Sequence, residues 1–298
     1  MTGTTMRKDS DFLDPRVYSW LLNALRNVHG SDILEVRAPI LWPGMAEDSF
    51  NFNFYGKIAR LATSGAFYLL LMASKYGDCY LIQRSFRPER HCTPCHLNEF
   101  DLYECCLRNV DFTKLLDEAE SVLRKIYEDA KRNFPDLCKA NLPQGPIKRY
   151  SWEDLSSKIE SFSDINFRYS PQGKDFLQFQ EKEPFFVTNM PRTQSASWLV
   201  KSDENNHFCS FDLILPGVGE VMEGSERPSR RNTYVKYLSQ GANLARSFSW
   251  FLDEFEDQDQ PISMFGCGIE RLAMWLFGID DIAYIHNPYR KNSFSELL

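Results

Sequence analysis

The apolar patterns of this chain run as one helix, then mostly strands, then further helix, without the regular strand–helix alternation that a parallel sheet needs. Asp14-Pro15 supplies an N-cap and a first helical residue, and Val17, Trp20, Leu21, Ala24, Leu25 and Val28 recur at helical spacing until Gly30. Residues 34–40 read as a strand ending at Pro39, and 50–55 alternate polar and aromatic side chains before Gly56, a hairpin signature. A helix is expected at 67–72 and a buried strand at 79–83. Residues 112–133 carry Leu115, Leu116, Ala119, Val122, Leu123, Ile126 and Tyr127 on one helical face. Strand character returns at 184–188, 197–200 and 208–215, and a helix at about 232–255 precedes a last strand. These patterns predict an α+β fold, an antiparallel β-sheet flanked by helices. The expected organisation is a flexible tail at 1–13, then a single domain at 14–298 with a polar insertion at about 134–182.

No run approaches the roughly 18–20 apolar residues of a membrane span, and the basic pair near the N-terminus has no apolar stretch behind it. Eight irregularly spaced cysteines read as the reduced thiols of a cytoplasmic protein. A net charge of −7 offers no general attraction to a nucleic-acid backbone, which leans against a large RNA partner.

Two distant stretches carry arginines suited to a nucleotide. Arg87 and Glu89 flank Pro88 just past an apolar strand. An arginine fork matches two oxygens of a phosphate or carboxylate and stays charged when desolvated; an exposed ion pair is the ordinary alternative. Phe100, which ends His96-Leu97-Asn98-Glu99-Phe100, would stack on a purine or fill the core. Gly266-Cys267-Gly268-Ile269-Glu270-Arg271 runs into an apolar helix, and its glycines permit close backbone approach to a ligand. Between these stretches Asp212 and Glu220 bracket a Gly-rich turn, as paired Mg²⁺ ligands or as solvated hairpin acids. His91-Cys92-Thr93-Pro94-Cys95-His96 formally offers zinc ligands or a haem-attachment pattern, though a polar loop with idle thiols is the ordinary reading.

In order and spacing the chain resembles the catalytic domain of class II aminoacyl-tRNA synthetases, in the aspartyl/asparaginyl/lysyl group and most like the asparaginyl branch. The first helix with the strand ending at Pro39 resembles motif 1, residues 86–104 motif 2 and residues 266–277 motif 3. Residues 54–57, 186–191 and 219–227 also match asparaginyl-type patterns. The resemblance implies an ATP- and Mg²⁺-dependent ligase that forms an acyl-adenylate and pyrophosphate. Arg87 would bridge the substrate carboxylate and the α-phosphate, Glu89 would meet the adenine amino group, and Phe100 and Arg271 would hold the ring. Asp212 and Glu220 would bind Mg²⁺; Arg87, Arg271 and Glu220 would be catalytic. Ser64 and Glu104 match positions that hold the substrate ammonium, and Arg227 the arginine that reads its side chain. Motif 1 implies a homodimer.

The departures from the family pattern shape the functional expectation. Pro94 and Cys95 stand where arginines usually hold the ATP tail, with Arg90 and His91 as substitutes, and Ala66 replaces a glutamine of the amino-acid pocket. Met264 stands for the first glycine of motif 3, and Ile262 for an upstream histidine. No anticodon-binding β-barrel fits before residue 14. The expectation is therefore a tRNA-independent ligase, resembling asparagine synthetases of this branch. It would adenylate aspartate or a related small amino acid and pass the acyl group to ammonia or another amine acceptor, with tRNA not a partner. An asparaginyl/aspartyl-type synthetase subunit and a non-catalytic ATP- or amino-acid-binding paralogue are the alternatives.

Overall fold

The computed structural model describes residues 12–45, 49–89, 93–158, 181–190, 200–238 and 248–286. Its first helix, α1 (Pro15–Asn27), begins as expected: the Asp14 side chain accepts the Arg16 N–H, and Pro15 occupies the first turn. Short strand β1 (Leu34–Glu35) follows. A three-stranded sheet then forms from β2 (Leu41–Pro43), β3 (Asn51–Phe54) and β4 (Lys57–Leu61), in the order β2-β4-β3. Tyr55 and Gly56 join β3 to β4 with φ of 51° and 78°, the left-handed pair that a tight hairpin requires.

The main sheet has eight strands among the described residues. They are β1, β5 (Cys79–Phe86), β6 (Glu99–Arg108), β7 (Lys148–Ser151), β8 (Phe185–Thr188), β9 (Ser210–Leu215), β10 (Gly219–Arg227) and β11 (Ile262–Gly268), ordered β1-β5-β6-β11-β10-β9-β8-β7. Pairing is antiparallel from β5 through to β8 and parallel only at the two edges, β1 with β5 and β7 with β8. This is the expected antiparallel-dominated α+β architecture. Edge strand β7 and helix α4 (Trp152–Lys158) come from the segment expected as an insertion.

Side chains alternate across a strand, so each face of the sheet has its own cover. One face packs against α1, α3 (Phe112–Asn133) and α7 (Ile269–Phe277), with Tyr103, Cys105, Phe211, Phe265 and Cys267 from the strands in the main core. The other carries α2 (Ala66–Tyr76), α5 (Arg231–Leu238) and α6 (Ser249–Glu254) over Cys79, Leu81, Cys106, Ile262 and Met264. The helix expected at about 232–255 is described as α5 and α6; residues 239–247 of it, like most of the strand expected at 197–200, lie outside the described residues. Among the described residues no helix is long and apolar enough to cross a membrane.

Candidate active site

On the α2 side of the sheet the helices leave an open cleft of about 1750 Å³, floored by β6, β9, β10 and β11. Its lining includes Ser64, Ala66, Arg87, Glu89, Phe100, Glu104, Asp212, Glu220, Arg227 and Arg271, so side chains spread over more than two hundred positions meet in one place. Arg90 and His91 lie outside the described residues.

The arginine stretch after β5 is held by backbone geometry. The Arg87 N–H donates to the Asn98 carbonyl at 2.9 Å, and the Glu89 N–H donates to Asn98 Oδ1 at 2.8 Å. The Arg87 guanidinium lies over the Phe100 ring, 5.3 Å from its centroid, a cation–π distance. Phe100 thus faces the cleft rather than filling the core. Four residues further along β6, on the same face, Glu104 is buried, and its Oε2 accepts the Gly65 N–H at 2.7 Å. Burial pushes the Glu104 carboxyl up to about 7, against the Gly65 hydrogen bond and the charges of Arg87 and Arg227, which act to lower it. Glu104 therefore anchors the loop bearing Ser64 and Ala66 while facing two arginines. Burial also lowers the Arg227 pKa, with Tyr234, Glu223, Cys106 and Glu104 opposing.

The same cleft holds a carboxylate trio. Asp212, Glu220 and Glu223 each offer an oxygen, and these atoms lie within 4.8 Å of one another. Residues three apart on a regular strand face opposite ways. The register of β10 against β9 shifts between Glu220 and Met222, and this bulge brings Glu220 and Glu223 to the same face. Glu223 was missed by sequence reasoning; only its closeness to Glu220 hinted at it. All-oxygen donors of this kind suit Mg²⁺. Arg271 projects from the first turn of α7, donating from Nε to the Cys95 carbonyl at 2.9 Å and from Nη1 to the Glu220 carbonyl at 2.6 Å. It ties the loop before β6 to the β9–β10 turn.

Gly266 and Gly268 have room for a side chain. A Cβ at Gly266 would lie 3.5 Å from Glu104 Cγ, and one at Gly268 3.9 Å from the Val221 carbonyl oxygen, both ordinary contacts. Packing does not demand glycine there, whereas an open cleft floor does. The zinc reading gains nothing among the described residues. Burial raises the Cys95 thiol pKa, opposing the thiolate a metal needs; His96 Nδ1 is 2.6 Å from Thr93 Oγ1, and His91 and Cys92 lie outside the described residues.

Comparison with known proteins corrects two expectations and supports the family assignment. The chain is 26% identical over 279 residues to a probable cytoplasmic asparagine–tRNA ligase of Enterocytozoon bieneusi, covering 86% of this chain and 60% of that protein. It is 27% identical over 290 residues to the cytoplasmic asparagine–tRNA ligase of Saccharomyces cerevisiae, covering 88% and 51%. The fold matches asparaginyl-tRNA synthetase of Entamoeba histolytica in complex with asparaginyl-adenylate, at a TM-score of 0.78 and 22% identity over 91% of this chain and 65% of that one. The Pyrococcus horikoshii enzyme complexed with asparaginyl-adenylate gives 0.74 and 23%, over 91% and 66%. The chain thus spans about half to two thirds of the length of these relatives. They overturn the expectation of a tRNA-independent ligase acting on ammonia or another amine, and with it the expectation that tRNA is not a partner. Those expectations leaned on the lack of room for a β-barrel before residue 14, on the departures at Pro94, Cys95 and Ala66, and on net charge, which averages over the surface and does not report the local field at a cleft. The family model for class II tRNA synthetases (D, K and N) matches residues 16–287, and the chain belongs to that family.

Proposed function

We propose that this chain carries the catalytic site of an aminoacyl-tRNA synthetase of the asparaginyl/aspartyl type, which adenylates asparagine or a close relative with ATP and passes the aminoacyl group to tRNA. The observation that carries this reading is the convergence of Arg87, Phe100 and Arg271 with the carboxylate trio and the Glu104–Arg227 pocket in one cleft. In this reading Phe100 and Arg271 take the two faces of adenine, and Glu89 meets its amino group. Glu104 and Ser64 receive the substrate ammonium, Arg227 reads the side chain, and Ala66 leaves extra room beside it.

Arg87 then lies between the amino-acid carboxylate and the α-phosphate. A carboxylate oxygen attacks the α-phosphorus in line, forming the acyl–phosphate bond as the bond to pyrophosphate breaks. A tRNA hydroxyl next attacks the acyl carbonyl, losing its proton and expelling AMP. Rate acceleration on this account comes from alignment and from the Arg87 charge facing the developing phosphorane. Asp212, Glu220 and Glu223 would hold Mg²⁺, which when bound neutralises phosphate charge. The test is charging: purified protein, ATP and labelled asparagine are expected to make acid-precipitable label on total tRNA. Charging with none of asparagine, aspartate or lysine sinks the proposal.

A further inference from the structure

Asp101, on the face of β6 turned away from the cleft, and Glu270, which also reaches the cleft lining, centre a buried polar cluster to which the proposed reaction gives no role. Asp101 and Glu270 are 7% and 1% exposed. Tyr18 Oη donates to Asp101 Oδ2 at 2.8 Å, and Arg84 Nε pairs with Asp101 Oδ1 at 2.8 Å. The backbone N–H of Asp101 donates to both Glu270 oxygens, at 2.9 and 3.0 Å. His286 Nε2 lies 2.8 Å from Glu270 Oε1, and because a carboxylate only accepts, the imidazole donates. The Tyr18 ring meets the His286 ring edge-on, 4.7 Å between centroids. Three of these groups could crowd a cation, but their oxygens and the His286 nitrogen are already engaged with one another, with Tyr18 or with Arg84. The cluster is a closed hydrogen-bond network.

Its place in the ladder says what it does. β6 pairs with β11 only as far as Leu102 opposite Gly268; beyond Gly268 the chain leaves the sheet and becomes α7. The Asp101 N–H would then face a vacated strand position, and an unmet buried N–H is costly. The Glu270 carboxylate fills that position. Phe100 immediately precedes Asp101 and Arg271 immediately follows Glu270, so this contact lies one residue from each side of the adenine clamp.

We propose that Glu270 is a positioning residue that sets the spacing between Phe100 and Arg271, and that His286, which follows the 3₁₀ turn Ile282–Ile285, orients its carboxylate. The ATP site is thereby assembled only when the 282–286 segment docks. The same segment also holds the loop before β6, through the Ile282 N–H on the Pro94 carbonyl at 2.8 Å. This inference rests on the reading of Phe100 and Arg271 as an adenine clamp.

Calorimetric titration of ATP, adenosine and tripolyphosphate into the full chain tests it without requiring turnover. Glu270→Gln is expected to weaken ATP and adenosine by the same factor, about tenfold or more, and to leave tripolyphosphate within about twofold. His286→Ala, at a side chain that touches solvent, is expected to show the same selectivity to a smaller extent, and His286→Gln, which keeps an N–H donor, to recover most of the affinity. Equal weakening of all three ligands, or a lowered melting temperature with unchanged adenosine affinity, would overturn the inference and leave the clamp standing. If the unsubstituted chain binds no ATP or adenosine, the clamp reading and this inference fall together.

Discussion

Glu104 shows how one carboxylate can register the occupant of a cleft. Burial holds its carboxyl near 7 in the ligand-free protein, so it is largely protonated below that pH and cannot pair with an ammonium group. Amino-acid affinity is therefore predicted to rise about tenfold per pH unit up to about 7 and then level off, and Glu104→Gln to flatten the profile. KM for the amino acid measured at several pH values checks this, and a flat profile in the unsubstituted protein contradicts it. The same shift works the other way on stability. An acid with a raised folded pKa favours folding below its ordinary 4.5, and that contribution is lost as pH rises towards about 7. Arg87 is the second residue-scale test: Arg87→Ala is predicted to cost at least ~100-fold in amino-acid-dependent pyrophosphate exchange. That Arg87, Phe100, Glu220 and Arg271 share one cleft was legible in the sequence because each sits in a short motif near a strand or helix end; Asp212, within β9, was reached through the Gly-rich turn that follows it. Glu223 was not, because its orientation depends on a register shift that no local pattern in β10 announces.

At the scale of elements, the glycines of β10 and β11 separate fold from function. Gly266→Ala adds a methyl at ordinary contact distance, so stability is predicted to hold or to rise by up to about 1 kcal/mol. KM for ATP or amino acid is predicted to rise about tenfold or more as the floor fills. Gly224 is the converse case. A Cβ there would overlap the Phe211 ring and lie 2.8 Å from Phe265 Cβ, so Gly224→Ala is predicted to destabilise by about 1–3 kcal/mol. Thermal melts beside exchange kinetics distinguish the two, and equal loss of stability in both variants contradicts the assignment. The hairpin and α1 were readable from capping and turn chemistry. The pairing of β7 with β8 was not, because a four-residue polar strand at a sheet edge has no apolar alternation to betray it.

For the whole molecule, the sequence pointed to the right family and fold but misjudged the acceptor, which depends on surfaces beyond the motifs. The small sheet points to the next level of assembly. Leu41, Met45, Phe54, Tyr55 and Ile58 are exposed on or beside β2, β3 and β4, and Tyr55 is 92% exposed. By register Leu41 and Phe54 lie on one face of this sheet and Ile58 on the other, so both faces leave large apolar groups open to a partner. We propose that they form part of a homodimer contact beside the motif 1 segment. Sedimentation at micromolar concentration is predicted to give a dimer, and Ile58→Lys with Tyr55→Ser a monomer; a monomeric parent chain contradicts this. The reaction proposed for the cleft is formation of an aminoacyl-adenylate. Exchange of labelled pyrophosphate into ATP, run with and without asparagine, measures that step directly. Exchange that depends on asparagine or a close relative and is lost in Arg87→Ala is the result predicted. No exchange with any small amino acid, in the presence or absence of tRNA, would contradict it.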